Sequence, residues 1–518
     1  MYPWWLSIGI SLGCSDPGMD RPLTERMVSV PETVATAPPP VPLAPVPLPD
    51  PDPPLPPPDP YPLHGIVTHF LAQVFALPTR GSPVIGYARR GARLRASERL
   101  HRHGCSGGWH EVPGPGFVCA GVGYLMASTP PNFEPAPIAP SLTTDLPYAY
   151  AYTTRDDVVQ YWRLPTLEEE EEALAAILRT RVATKDTTPL QARDGGADIG
   201  PDSEPVAETP SPEESPETAV EAPEPPGIEP VVEPIVAGEP STHDLPDPVR
   251  LAMLQGFYIA IDREESTELG RRFYRTVRGG YVRSTEVVAN IPPTSRGVVM
   301  GAEWQLPLGI VFRTGAHRFE QTLAERLVDV GLIERHTALP ITAELTRNGQ
   351  RYFVGHDETI VRQGAVRTLR AIARPGRVGP TDRWIHVNLT EQSLVAFEGD
   401  TPVFATLVST GREGFETPTG LFRIESKHIS ITMDDDTNPD EAYSIEEVPW
   451  TLYFNGNFAL HGAFWHYTFG RTRSHGCVNL APADARWLFQ WTGPALPPGW
   501  HGVFSTRDTR GTWVYVDS

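Results

Sequence analysis

The stretch "RTRSHGCVNL", Arg471 to Leu480, places Cys477 two residues beyond His475 and just downstream of Arg471 and Arg473. A second histidine, His461, stands sixteen residues before the cysteine, in "FALHGAFWHYTF". A thiol at its ordinary pKa is mostly protonated at neutral pH, and only the thiolate is a good nucleophile. An imidazole that reaches the thiol takes its proton or shares an ion pair with the thiolate. Gly476 has no side chain to obstruct an acyl group approaching the backbone. The amides of His475, Gly476 and Cys477 are then candidate donors to an oxyanion, where one well-placed donor is worth about 3 kcal/mol in other hydrolases. Spacing alone favours the plainer reading, buried or surface histidines near an idle thiol. Zinc is the poorer use of His461, His466, His475 and Cys477, because their spacing matches no standard zinc motif.

These residues lie near the end of a 518-residue chain with 58 prolines, 4 cysteines and a formal charge of −21. That acidity argues against a nucleic-acid binder, which needs a basic footprint. Clustered prolines mark linkers. Residues 21–63, with "APPPVPLAPVPLPDPDPPLPPPDP", favour extended polyproline and read as a stalk. Residues 194–247, rich in Pro, Glu and Ala, read as a second disordered linker. Between them lie a β-like stretch at 64–130 and a linker, 131–193, holding one helix in "LEEEEEALAAILRTRVATK". Residues 248–378 are β-rich. In them "RTVRGGYVRSTEV" and "GQRYFVGHDETIVRQGAVR" look alike, as a weak internal repeat or as common strand grammar. Cys105 and Cys119, in one small β-like region, suit a disulfide in an oxidising compartment, with two buried thiols as the alternative.

Residues 379–518 must position the thiol. "WIHVNL" and "SLVAFEGDTPVFATLVSTG" alternate and turn as strands. "APADARWLFQW" is helical, with Pro482 in its first turn, and "TWVYV" closes the chain as a strand. The insert "TMDDDTNPDEAYSIEEVPW" has Asp434, Asp436, Asn438 and Asp440 at calcium-loop spacing. Pro439 takes the place of the turn glycine and Ile445 that of the last glutamate, so an acidic lid over the cleft is the preferred reading. Arg471 and Arg473 are candidates to grip carboxylates. Trp465, Tyr467 and Phe469 alternate, as one aromatic face for the core or for a substrate.

"HGAFWHYTFGRTRSHGCVNL" resembles the signature of L,D-transpeptidases with a YkuD-type domain: His-Gly, a loop, then Ser/Thr-His-Gly-Cys-x-Asn/Arg. The upstream Ser-Thr-Gly and Thr-Pro-x-Gly turns in "LVSTGREGFETPTGLFRI" are similar too. The resemblance implies a mainly β catalytic domain with a short helix after the nucleophile. It implies Cys477 as acyl-accepting nucleophile, His461 as its base, Gly462 shaping that turn, and His475 lining the site. Ser474, Gly476 and Asn479 complete the motif. The implied reaction is acyl transfer on peptidoglycan stem peptides without metal or cofactor. A thioester forms, a terminal D-amino acid leaves, and an amine of another stem takes the acyl group. If water takes it instead, the enzyme is an L,D-carboxypeptidase. A wall-binding scaffold with a vestigial catalytic domain is the non-enzymatic alternative. The 64–130 stretch resembles a bacterial SH3-like module, a small β-barrel, which implies binding of wall peptide or glycan; 248–378 is weighed as a second. The start, "MYPWWLSIGISLGCSDPG" (1–20), resembles a lipoprotein signal, which implies export to the periplasm or cell envelope and lipidation at Cys14.

Overall fold

In "RWIHVNLTEQSLVAFE" apolar side chains alternate on both sides of a polar tripeptide, and two strands result, Arg383–Asn388 and Ser393–Glu398, paired antiparallel. The turn closes on Gln392 in the left-handed region, φ 49°. In the computed structural model this hairpin is the centre of a six-stranded sheet. Its order is Val298–Val299, Thr401–Leu407, Ser393–Glu398, Arg383–Asn388, Trp513–Asp517 and Gly420–Arg423. Both faces are covered. Ile385, Val387, Leu394 and Ala396 pack with Leu460, Val478 and Leu488, whereas Trp384, Val395 and Phe397 pack with Leu308 and Ile310. Each such side chain contributes about 1.5–3 kcal/mol on burial.

The structure describes residues 59–133, 137–185, 247–435 and 443–518. Cys14, the signal-like 1–20, nearly all of the stalk and of the 194–247 linker, and 436–442 of the acidic insert lie outside the described residues. Around that insert the chain is not loop but a long hairpin, Ser426–Asp435 against Tyr443–Asn455. Phe458–Gly462 extends this hairpin, and Val478–Leu480 adds to it in parallel. The helix Pro482–Trp491 begins with proline in its first turn and buries Ala485, Leu488 and Phe489 in the same core as Trp450 and Leu452. Its last turn is held by Lys427, whose buried ammonium donates to Phe489 O and Thr492 O at 2.6 Å each. Burial pulls this amine down to about 7, so near neutrality it is charged only in part, and its charged form complements the negative end of the helix dipole.

Upstream, short antiparallel strands from Leu63–Val67 to Tyr124–Ala127 enclose Val67, Val74, Leu94, Val112 and Val118. Trp500, from the far end of the chain, completes this core. It packs so closely on Gly86 that an added Cβ would lie 2.4 Å from its ring. Strand Val84–Arg89 also pairs with Gly502–Phe504, so the N-terminal unit shares a sheet with the C-terminal one. Cys105 and Cys119 form a disulfide with Cα atoms 5.8 Å apart.

Two boundaries differ from the sequence reading. The 131–193 stretch, read as linker plus helix, also contributes strands Ala149–Thr153 and Val158–Tyr161, which pair with Tyr258–Ser266, Val249–Met253 and Tyr281–Arg283. "YAYAYT" alternates as a strand does, but flanking Pro, Thr and Asp read as loop. The helix, Leu167–Lys185, docks on this sheet through Ala173 and Ile177. It starts with a reciprocal cap, in which Glu169 N donates to Thr166 Oγ1 and Thr166 N to Glu169 Oε2. The 248–378 stretch is not one unit either. Its first part completes the sheet just described, Val298–Val299 joins the six-stranded sheet, and Leu308 to Leu369 form a seven-stranded sheet of their own. The look-alike segments do share a backbone course. Tyr281–Arg283 and Ile360–Arg362 each lead through a 3-10 turn into a strand, Val287–Ala289 or Val366–Leu369.

The disulfide closes a loop of 14 residues, for which loop entropy gives about 3 kcal/mol. A Cys105→Ala/Cys119→Ala variant is expected to lose that much stability in the transition reporting the N-terminal unit. Urea unfolding followed by tryptophan fluorescence checks it, Trp109 being wholly buried beside the bridge.

Candidate active site

Parallel pairing of Phe458–Gly462 with Val478–Leu480 sets Leu460 opposite Val478, His461 opposite Asn479, and Gly462 opposite Leu480. Cys477 therefore stands at the mouth of one strand and His461 within its neighbour. Leu460, Val478 and Leu480 are fully buried, so this register is fixed by the core. Gly462 lies inside the strand rather than at a turn. An added Cβ there would lie 3.0 Å from the Pro449 ring, so its role is close packing.

The segment before Cys477 is held by the two upstream turns. Arg473 N and Ser474 N donate to Thr410 O at 2.9 and 3.0 Å, and Arg412 N donates to Ser474 O at 3.0 Å. Thr417 Oγ1 donates to Gly476 O at 2.8 Å and accepts from Gly411 N at 2.9 Å. Ser474 Oγ donates to Cys477 O and accepts from Gly476 N. That last bond corrects one expectation: the Gly476 amide is engaged by Ser474 and is not an open oxyanion donor. Gly476 itself has φ +111°, and a Cβ would meet the Phe458 ring at 2.5 Å. No other residue fits there without strain.

Cys477 is the free cysteine among the described residues and is partly accessible. Its Sγ lies 3.7 Å from Asn457 O. Burial pushes the thiol up to about 11, with a backbone bond from Ala459 acting the other way. His461 is buried, its Nδ1–H donates to Gly462 O at 3.4 Å, and its ring stacks on Trp465. That bond sets the tautomer and leaves Nε2 as the acceptor. Burial pulls His461 down to about 4. Thiol and imidazole are therefore both neutral at rest.

The other sequence-derived residues disperse. His475 is exposed; Arg412 donates to its Nε2 at 3.0 Å, and Phe415 and Tyr443 pack against its ring. A guanidinium has no acceptor to offer, so that nitrogen is unprotonated while the bond holds. Asn479 is buried and bonds His466 Nε2 at 3.0 Å, bracing the loop from within. Arg471 lies over the Phe312 ring, and Arg473 lies near buried His466 and Tyr258. The alternating aromatics divide: Phe469 and Trp465 pack in one core, Trp465 also covering His461, while exposed Tyr467 donates to Ile291 O. Sequence reading missed Arg412, Phe415 and Tyr443. Arg412 directly follows the Ser-Thr-Gly turn, and that adjacency was the available signal.

Residues 382–516 match the family described as the L,D-transpeptidase catalytic domain, YkuD. These residues are a YkuD-type L,D-transpeptidase catalytic domain. The transpeptidase domain is 26% identical over 121 residues to a putative L,D-transpeptidase, YciB, of Bacillus subtilis strain 168, a match covering 21% of this chain and 59% of that protein. The chain thus spans somewhat more than half the length of that curated relative. Among solved structures, an L,D-transpeptidase from Stackebrandtia nassauensis is 26% identical over 27% of this chain and 58% of that one, with a TM-score of 0.20. One from Mycobacterium smegmatis is 18% identical over 45% of this chain and 90% of that one, with a TM-score of 0.22.

A neutral resting pair has a kinetic signature. With the thiol raised and the imidazole lowered, the thiolate fraction of the transpeptidase domain grows about tenfold per pH unit up to about pH 11. Alkylation of Cys477 by iodoacetamide, mapped by peptide mass, is expected to rise log-linearly between about pH 6 and pH 10. A plateau beginning near neutrality would instead reveal a resting thiolate–imidazolium pair.

Proposed function

We propose that this protein is a peptidoglycan L,D-transpeptidase in which Cys477 is the nucleophile and His461 its general base. The observation that carries the proposal is the parallel strand pair that seats a buried, tautomer-fixed imidazole next to the strand entered by the thiol. His461 Nε2 takes the thiol proton as sulfur attacks the carbonyl of the third stem residue. The bond to the terminal D-amino acid breaks, and its amine leaves carrying that proton. An amine of a second stem then attacks the thioester, giving its proton to the same imidazole and restoring the thiol. The amides of His475 and Cys477 are proposed as donors to the oxyanion. The chemistry calls for neither metal nor cofactor. Arg471 and Arg473 remain proposed grips for stem carboxylates.

The upstream units are proposed to hold the wall as SH3-like modules. Between Leu63 and Ala127 the sequence has seven arginines against two carboxylates, Glu98 and Glu111, in a chain of net charge −21. Such a basic island suits an anionic, carboxylate-bearing wall polymer. Export to the cell envelope, with Cys14 as a lipid anchor, places the enzyme beside that substrate. No helix among the described residues is long and apolar enough to cross a membrane.

Purified sacculi incubated with the protein and analysed by muropeptide mass spectrometry test the proposal. Stem dimers joined through the third residue, with release of a terminal D-amino acid, are expected. Cys477→Ala abolishes both, and His461→Ala lowers the rate by about 10²–10⁴-fold, the usual contribution of general-base catalysis. Trimmed monomers without dimers mean a carboxypeptidase; unaltered sacculi mean a scaffold.

A further inference from the structure

The strand Tyr443–Asn455 touches the site at both ends. Tyr443 stacks on His475 with ring centroids 5.3 Å apart. Tyr453 is paired with Ala459, whose backbone bonds the Cys477 thiol, and Asn457 O just beyond lies 3.7 Å from Sγ. A straight strand of this length could not do this. The chain bends because Glu447 and Trp450 both adopt φ 57°. Left-handed geometry is strained for residues with a Cβ, and it persists only where neighbours hold it. The partner strand shifts register across the same place, between Ile431 and Met433.

What holds Glu447 comes from elsewhere in the chain. Its side chain is wholly buried and forms an ion pair with Arg89 of the N-terminal unit. Ser430 Oγ donates to Glu447 Oε2 at 2.6 Å, Tyr150 OH donates to Glu447 O at 2.6 Å, and Arg89 donates to Ser430 O at 3.4 Å. Its neighbour Glu446 is held by the other upstream sheet, accepting from Gln160 Nε2 and Ala260 N at 3.2 Å each. Two adjacent buried carboxylates thus join one catalytic strand to two upstream units. The Arg89–Glu447 pair is poorly satisfied, since Arg89 Nε and Glu447 Oε1 have no hydrogen-bond partner. Such a pair is weak as a source of stability, and specification of one geometry is its better-attested use.

We propose that Arg89 and Glu447 are positioning residues: an arginine of the N-terminal unit fixes the left-handed bend that brings Tyr443 and Tyr453 to the His475–Cys477 segment. The N-terminal unit is then part of the machinery that sets the thiol's geometry, beyond any role in holding the wall. The inference rests on the reading of Cys477 as nucleophile, and its test separates the two.

Arg89→Met, Glu447→Gln and Arg89→Lys are made in the full chain. Each is measured for melting temperature, for Cys477 alkylation by iodoacetamide, and for kcat and KM on a stem tetrapeptide donor. Arg89→Met and Glu447→Gln are expected to stay folded and to lose about tenfold in alkylation rate and in kcat with KM little changed, the scale of a small misplacement of reacting groups. Arg89→Lys recovers part of both, and an Arg89→Met/Glu447→Gln double variant is no worse than either single one. Folded variants with parental alkylation and kcat overturn the proposal. So does loss of folding in all three single variants, which would make the pair purely structural. If alkylation falls as expected but the parent turns over no stem peptide, the positioning role stands and the transpeptidase reading fails.

Discussion

The site depends on one short parallel ladder, Phe458–Gly462 beside Val478–Leu480. Parallel neighbours need a crossover, and here it is the stretch that carries Trp465, His466 and the two arginines before returning to Cys477. Because side chains alternate along a strand, a slip of one residue would turn His461 away from the site and Leu460 out of the core. Leu460, Val478 and Leu480 exclude that slip, since each is fully buried. The hydrophobic effect thus sets the placement of His461 and Cys477, the two proposed reactants.

A ladder of three residue pairs is too short to hold itself. Its support comes from the polar turns at Thr410–Arg412 and Thr417 on one side and from the long hairpin on the other. The turns hold Ser474 through backbone bonds and Gly476 through the Thr417 hydroxyl, so they fix where both sit whatever substrate arrives. The hairpin carries side chains to the site from a strained bend. That bend is locked by groups nearly 300 or more residues away in sequence, Tyr150 and Arg89. The upstream units therefore pack into the catalytic domain through a shared sheet, the Trp500 core contact and buried carboxylates.

How much of this was legible in the sequence follows from the range of each interaction. Strands 383–388 and 393–398, the helix at Pro482 and the motif around Cys477 are local patterns, and they read correctly from alternation, turn residues and spacing. The 3-10 turn shared by 281–289 and 360–369 was also local, and its likeness showed. The strands at 149–161 were missed because their partners lie beyond the acidic linker, so no neighbouring run announced them. Arg89, Glu446 and Glu447 were invisible for the same reason: charged residues in "YARRGA" and "SIEEVP" read as solvated until the packing of three units buries them. Ser474's claim on the Gly476 amide is a geometric fact inside a motif, and no residue type reveals it.

Desolvation decides how the site rests. Burial disfavours every charged form, and it acts on thiol and imidazole in opposite directions on the pKa scale, raising one to about 11 and lowering the other to about 4. A thiolate–imidazolium pair would need its mutual attraction to exceed both penalties, and Nδ1 is supported by a single long bond to a carbonyl rather than by a carboxylate. In the proposed mechanism the proton therefore stays on sulfur until an acyl group enters, when negative charge moves from sulfur to the carbonyl oxygen of that group. On that mechanism little charge is maintained in an empty cleft, and fixed dipoles would act where charge develops only during reaction. This arrangement demands accurate placement of neutral groups more than strong fields, which is why so much of the surrounding chain is committed to holding two strands in register.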